Sequence, residues 1–384
     1  MDLIDSLGGW GGWLAGYVVP FLFVLTIVVF FHELGHFLIS RACGVRVTTF
    51  SIGFGPELVG FNDRHGTRWK ACAIPLGGYV KFLGDSNAAS VGVAEVQAAN
   101  IGDRRETFIG ATVGRRIAIV AAGPIANFLL AILVFAGVFM WSGKEIASTR
   151  IEAVQADSPA AVAGFQSGDV VVTIDGSTIE SFEDLQRVVG ASAGRTLKVV
   201  VDRHGTRVAL DAIPALREVE DAIGDISRIG YLGLSRSRAP EDTKTERFGP
   251  IQALRLGVEQ TWFIVDQTLR FLFNVAAGRA SPDQLGGPIR IAQISGHVAA
   301  FGIMALVQLA AILSVSVGLL NLFPVPVLDG GHILLYGIEA ARGRPISAAA
   351  QRWSLMIGAS LVLALMIFAT FNDVVRLAAQ LGRA

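Results

Sequence analysis

The chain has 384 residues, of which 52% are hydrophobic and only 17% charged, a membrane composition rather than a soluble one. Its 32 basic residues balance 32 acidic ones; with no basic excess and no interleaved basic and aromatic motif, nucleic acid is excluded as a partner. The two cysteines, Cys43 and Cys72, are too few for a disulfide framework and lack zinc-ligand spacing.

Four stretches hold about 20 nearly uncharged residues, enough to cross a bilayer: Trp13 to Ser40, Ile117 to Trp141, Phe301 to Phe323 and Trp353 to Phe371. Asp2 and Asp5 precede the first stretch without any Lys or Arg. A cleaved signal would carry a positive leading region, so residues 1–43 read as a retained helix. That helix ends in His32-Glu33-Leu34-Gly35-His36. Histidines four positions apart share one helix face, where their nitrogens can converge on a single Zn²⁺, and Glu33 lies close enough to activate a water. An isolated polar group at bilayer depth costs about 2.5 to 3.5 kcal/mol on insertion scales, so three in one turn need a compensating partner such as a metal.

Residues 44–84 contain the alternating stretches Val45 to Phe50 and Arg68 to Ile74, with a turn at Asn62 to Gly66. They predict a membrane-associated β-hairpin whose exposed edge an extended substrate could join as a strand; a passive loop is the alternative. Residues 85–115 read as a cytoplasmic loop. Basic residues from Arg41 to Arg116 outnumber the acids there, and Arg342, Arg344 and Arg352 mark the 324–352 connection the same way, so both connections face the cytoplasm. Both termini and the polar middle of the chain then fall on the opposite side. The second span, 116–141, carries Gly123-Pro124-Ile125-Ala126-Asn127.

Residues 148–235 resemble a bacterial PDZ domain. The stretch Ser158 to Asp169 leads into a strand at Val170 to Ile174 and a turn at Asp175-Gly176. A helix follows over Phe182 to Val189, then a strand at Leu197 to Asp202 and a turn at His204-Gly205. Gly230-Tyr231-Leu232-Gly233-Leu234 is similar to the glycine-bracketed strand at a PDZ peptide groove, which would bind a peptide ligand or simply exclude bulky ectodomains by size. Residues 248–300 form an amphipathic linker at the outer surface, with Ile251, Leu254, Val258 and Trp262 at helical spacing and Arg255, Glu259, Asp266 and Arg270 opposite. It would gate the site or seat the domain on the membrane. Gly286-Gly287-Pro288-Ile289 predicts a turn into the third span, and His297 is expected to be unrelated to metal.

The third span, 301–323, ends in Asn321-Leu322-Phe323-Pro324-Val325-Pro326-Val327-Leu328-Asp329-Gly330-Gly331-His332. Two crossings separate it from the first helix, so this end returns to the side of the histidines. Pro324 and Pro326 break the helix, which is tolerated at membrane depth where the backbone is buried in protein or lines a wet cavity. Asp329 would complete a His₂Asp site with water in the fourth position, as in catalytic zinc centres. Two rival readings make Asp329 an ordinary N-cap and His332 the ligand. The His32/His36 pair favours Asp329 and leaves His332 as support or packing. The fourth span occupies 353–371.

His-Glu-x-x-His in the first span, Gly-Pro-Ile-Ala-Asn in the second and Asn-x-x-Pro-x-Pro-x-Leu-Asp-Gly at 321–330 resemble, in order, the motifs of the site-2 intramembrane zinc metalloproteases, of the bacterial regulator-of-sigma-E type. The resemblance implies a polytopic α-helical membrane protein with four transmembrane helices, a cytoplasmic-side β-hairpin region and one extracytoplasmic PDZ domain of α+β type, where such enzymes often carry two in tandem. It implies one Zn²⁺ held by His32, His36 and Asp329, with Glu33 as catalytic acid and base. Asn321 and Asn127 would hold substrate or stabilise the oxyanion; for each asparagine an interhelical hydrogen bond is the alternative. The implied activity is endopeptidase cleavage of single-pass membrane proteins such as an anti-sigma factor, pre-cleaved by a site-1 protease, during regulated intramembrane proteolysis. The implied place is the bacterial inner membrane, with the lipid bilayer as a partner and the PDZ domain and both termini periplasmic. The rival classes are a membrane metal transporter, since intramembrane His and Asp also line ion pathways, and a catalytically silent PDZ scaffold.

Overall fold

The computed structural model describes residues 14–84, 106–179, 181–220, 226–236, 243–278 and 286–381. The expectations resting on Asp2, Asp5, Trp13, residues 85–105 with Arg104 and Arg105, and the last three residues lie outside these. Contacts divide the chain into two units, Met1–Gly137 with Gln252–Ala384, and Val138–Ile251.

In the first unit a π-helical turn at Leu14–Val18 runs into α1 (Val19–Ala42), with Pro20 in its first turn, where a missing N–H costs nothing. There follow β1 (Val47–Asn62), β2 (Arg68–Phe82) and α2 (Val113–Trp141). The predicted hairpin is present, but each strand doubles back. β1 bends at Gly53 and Gly55, with φ of 84° and 86°, and β2 at Gly77, with φ of 118°, a left-handed region open to glycine at little cost. Residues 47–52 therefore pair both with 78–82 and with 68–71, and 68–72 pair again with 57–62, making a curled four-segment sheet from two strands. Asp63 closes the turn, accepting from the His65 and Thr67 N–H groups and pairing with Arg41 at the end of α1 at 2.9 Å. The wholly buried Phe50 packs among Phe30, Phe37 and Trp69. Burying one such ring is worth roughly 1.5 to 3 kcal/mol, so this cluster pins the sheet to α1. α1 and α2 approach through Gly35, where a Cβ would lie 2.2 Å from the Ala122 carbonyl oxygen and 2.7 Å from the Ala126 Cβ; small residues of this kind let membrane helices close on each other.

The second unit comprises β3 (Lys144–Ala147), β4 (Ile151–Val154), α3 (Pro159–Ala163), β5 (Val170–Ile174), β6 (Ser177–Thr178), α4 (Phe182–Gly190), β7 (Leu197–Arg203), β8 (Thr206–Ala212), β9 (Ala215–Glu220), β10 (Ile226–Tyr231), β11 (Leu234–Arg236) and β12 (Thr243–Glu246). A four-stranded sheet runs β6-β5-β7-β8, and β4 pairs with β11, β9 with β10 and β3 with β12. Ser158 caps α3, Pro159 occupies its first turn, and Gly164 ends it in the left-handed region. Ser181 caps α4 by accepting the Asp184 N–H. Ile151, Ile174, Leu185, Leu197, Val199 and Val201 fill the core. Gly230 permits β10 to lie on α4, since a Cβ there would meet the Val189 carbonyl oxygen at 2.1 Å. The predicted helix at Phe182 to Val189 and the strands at Val170 to Ile174 and Leu197 to Asp202 appear within a residue at their ends, whereas the predicted strand at Gly230 to Leu234 is corrected: β10 ends at Tyr231, Gly233 turns the chain with a φ of 86°, and β11 starts at Leu234.

The first unit resumes with α5 (Pro250–Ala276), α6 (Pro288–Ala299), α7 (Ile303–Asn321), α8 (Asp329–Arg342) and α9 (Ala348–Leu381). Among the described residues, four helices are long and apolar enough to cross a membrane, Ala15–Ala42, Val113–Trp141, Ile303–Asn321 and Ala349–Ala379, each overlying one predicted span. α5 is not among them. It packs on α2 through a small-residue stripe, with Gly257 set against the Ile132 carbonyl oxygen, and leaves Ile251, Leu254, Val258 and Trp262 exposed. The expected turn from Gly286-Gly287-Pro288-Ile289 straight into the third span is corrected: α6 intervenes. Its first N–H groups are satisfied by a distant carboxylate, the buried Asp373 of α9, which accepts from Gly287 and Arg290 at 3.0 Å each. Gly296 of α6 lies against Tyr17, closing this helix onto the start of the chain's first span.

Candidate metal centre

His32 and His36 fall one turn apart on α1, and their Nε2 atoms lie 3.2 Å from each other. Asp329 is the first residue of α8. The turn before it is tight, with the Val325 N–H donating to Phe323 O and the Leu328 N–H to Val325 O. Gly330 and Gly331 lie directly on this turn, where a Cβ would stand 2.2 Å from the carbonyl oxygens of Leu322 and Val325. That is a physical reason for Gly-Gly after the aspartate. The N-cap of α8 is Leu328 with no side-chain cap, so the N-cap reading of Asp329 fails. The Asp329 carboxylate instead turns to the histidines, with Oδ2 3.2 Å from His32 Nε2 and 3.6 Å from His36 Nε2.

Among the described residues, these three form the group of His, Cys, Asp and Glu side chains that could hold a metal ion, with donor atoms within 4.8 Å of one another; His297 and His332 do not belong to it. Donors about 2.0 to 2.1 Å from a zinc ion at tetrahedral angles stand roughly 3.3 Å apart, close to the spacings found. The chemistry of the set agrees. His36 Nδ1 lies 2.8 Å from the Ile119 carbonyl oxygen, which can only accept, so in the neutral ring the proton sits on Nδ1 and Nε2 carries a bare lone pair. Asp329 Oδ2 is buried and takes no aligned hydrogen bond. Lone pairs and a carboxylate oxygen facing one another repel unless a cation lies between them, so the residues fit a zinc ion.

Space for the rings is made by α2. A Cβ on Gly123 would stand 2.3 Å from His36 Nε2 and 2.9 Å from His32 Cε1. Pro124 beside it withholds the N–H that would otherwise bond to Val120. Glu33 lines a cavity of about 310 Å³ together with both histidines, Asp329, His332 and Asn321. Its carboxylate accepts from the Val80 N–H of β2, and Gly78 on the same strand lies against its Cγ. Asn127 is wholly buried behind His32, its Nδ2 3.3 Å from His32 Nδ1, and does not line the cavity. α8 is tied to α2 by Glu339, which pairs with Arg116 at 2.6 Å, both side chains largely buried, while Arg116 also lies over the Tyr336 ring. Sequence reasoning missed Ile119, Gly78, Arg116, Glu339 and Asp373. Their roles depend on partners far along the chain, which the local sequence does not announce.

The family model described as Peptidase family M50 matches residues 20–365. A relative from Agrobacterium fabrum provisionally named a zinc metalloprotease, Atu1380, is 48% identical over 364 residues, covering 94% of this chain and 97% of its own. Metalloprotease MmpA of Caulobacter vibrioides is 38% identical over 382 residues, covering 94% and 95%. Among solved structures, the PDZ domain of the SdrC-like protein Lmo2051 of Listeria monocytogenes is 21% identical over 23% of this chain and 87% of that one, with a TM-score of 0.19.

Proposed function

Because the chain belongs to peptidase family M50 and is an intramembrane zinc metalloprotease, we propose that His32, His36 and Asp329 hold its zinc and that Glu33 is its catalytic acid and base. The observation that carries this is the convergence of two Nε2 atoms and one carboxylate oxygen within 3.6 Å, beside Glu33 in one cavity.

Zinc, when held by these donors, supplies Lewis acidity to the attacking water and the scissile carbonyl. Glu33 takes the proton from that water at its carboxylate and passes it to the leaving amine. Asn321, which lines the same cavity, would donate its amide N–H to the developing oxyanion. A helical substrate must unwind first, because its carbonyls are engaged in backbone bonds. The edge formed by residues 78–82 supports reception of the unwound segment as an added strand: it borders the cavity, and Val80 already presents its N–H to Glu33. The substrates we propose are single-pass membrane proteins such as an anti-sigma factor, shortened beforehand by a site-1 protease, in regulated intramembrane proteolysis. The enzyme would sit in the bacterial inner membrane with the metal centre toward the cytoplasm. Its second unit, whose strand and helix order supports a PDZ-type reading, would lie in the periplasm as a peptide-binding or size-filtering domain, with both termini on the same side.

The test is Glu33→Gln in the full chain. It should keep one zinc per chain and the wild-type melting temperature while losing about 10²- to 10⁴-fold in cleavage of a model transmembrane substrate. Undiminished turnover would remove Glu33 from the chemistry.

A further inference from the structure

We infer that Asn127 positions His32 by accepting a hydrogen bond from its Nδ1–H, which leaves His32 Nε2 bare for the metal; this rests on the zinc reading of the centre. Each histidine turns Nε2 toward Asp329, so to ligate, each must carry its proton on Nδ1 and give it to an acceptor. His36 has the Ile119 carbonyl. For His32 the neighbour is the Asn127 amide.

With Nδ2 toward the ring, the amide donates to Nδ1 and forces the imidazole proton onto Nε2, where it faces the other donors. The same orientation leaves Asn127 Oδ1 buried and without a partner. A half-turn of the amide, which barely changes its shape, resolves the tautomer: Oδ1 meets the Nδ1–H, and His32 becomes the electronic twin of His36. The residue is also held at its backbone. Ser314 Oγ of α7 donates to the Asn127 backbone carbonyl at 3.0 Å, and Gly318, one turn further on, leaves room for the Asn127 Cβ, which a Cβ there would approach to 3.1 Å. Since Asn127 is wholly buried and off the cavity wall, unlike Asn321, its position suits orienting a ligand rather than touching substrate.

Zinc affinity of the purified full chain, measured by competition with a chelator, separates the possibilities. Asn127→Leu removes the acceptor and should bind zinc about 10- to 100-fold more weakly. Asn127→Asp restores an acceptor and should stay within a few-fold of wild type. Should Leu fail to fold, by its melting temperature, Asn127→Ala takes its place with the same expectation. Wild-type zinc affinity in Asn127→Leu or Asn127→Ala, or a loss in Asn127→Asp as large as in Asn127→Leu, overturns the inference, the latter because it would mean that the amide N–H is what matters. Asp329→Ala serves as the control: if it binds zinc normally, the zinc reading itself fails, whereas loss there with no loss in Asn127→Leu refutes the role of Asn127 alone.

Discussion

Gly123→Ala is the smallest change that should disable the centre. The added methyl would stand 2.3 Å from His36 Nε2, 2.6 Å from its Cε1 and 2.9 Å from His32 Cε1. Ordinary contact begins at about 3.5 Å, so the His36 ring must retreat by about 1 Å. Zinc ligands tolerate only about 0.2 Å of misplacement. A shift of about 1 Å at a reacting centre costs roughly 100-fold, or about 2.8 kcal/mol at about 1.4 kcal/mol per factor of ten. Overpacking itself should destabilise the chain by about 1 to 3 kcal/mol. Zinc competition, cleavage of a transmembrane substrate and thermal melting of the same detergent-solubilised protein read these quantities side by side. If the alanine variant binds zinc and turns over like wild type, α2 does not form the back wall of the site, and the reasoning fails.

Two further outcomes follow from the geometry. Asn321→Ala should lower kcat by about 10²- to 10³-fold with zinc content intact, as for loss of an oxyanion donor; an effect confined to KM would assign Asn321 to binding instead. In the second unit, burial pushes the Asp169 carboxyl up, but its paired contacts with Arg203 at 2.8 Å and the Gln166 N–H outweigh this and hold it below the ordinary carboxylate range. A depressed folded value means that the stabilisation is present above the unfolded value, near pH 3.9, and is lost as pH falls through the folded one. Hydrogen exchange at Val171 and Val201 in the full chain should therefore quicken as pH drops below about 4 relative to Arg203→Met, and identical acid profiles for the two proteins would contradict the pairing.

The four spans, the hairpin and the three converging residues were legible because each rests on a short-range signal. Runs of apolar residues declare spans, alternation declares strands, and His32 and His36 at helical spacing need only one more ligand on the correct side. What the residues did not announce depends on partners far along the chain. α6 forms because Asp373, more than eighty residues away, caps it. The doubling of β1 and β2 depends on glycines whose bends a pattern of alternation does not register. In α5 the large apolar residues declared an amphipathic helix, but its buried stripe, Ala253, Gly257 and Thr261, was not announced, because close helix approach selects small side chains. The tautomers of the two histidines were likewise out of reach, being fixed by a backbone carbonyl and an amide on another helix.

The sharing of one zinc by His32, His36 and Asp329 is tested most directly by anomalous diffraction at the zinc edge from crystals of the full chain. A single peak about 2.0 to 2.2 Å from both Nε2 atoms and an Asp329 oxygen is the predicted result. A peak bound to His332 in place of Asp329, or one away from this cavity, would contradict it.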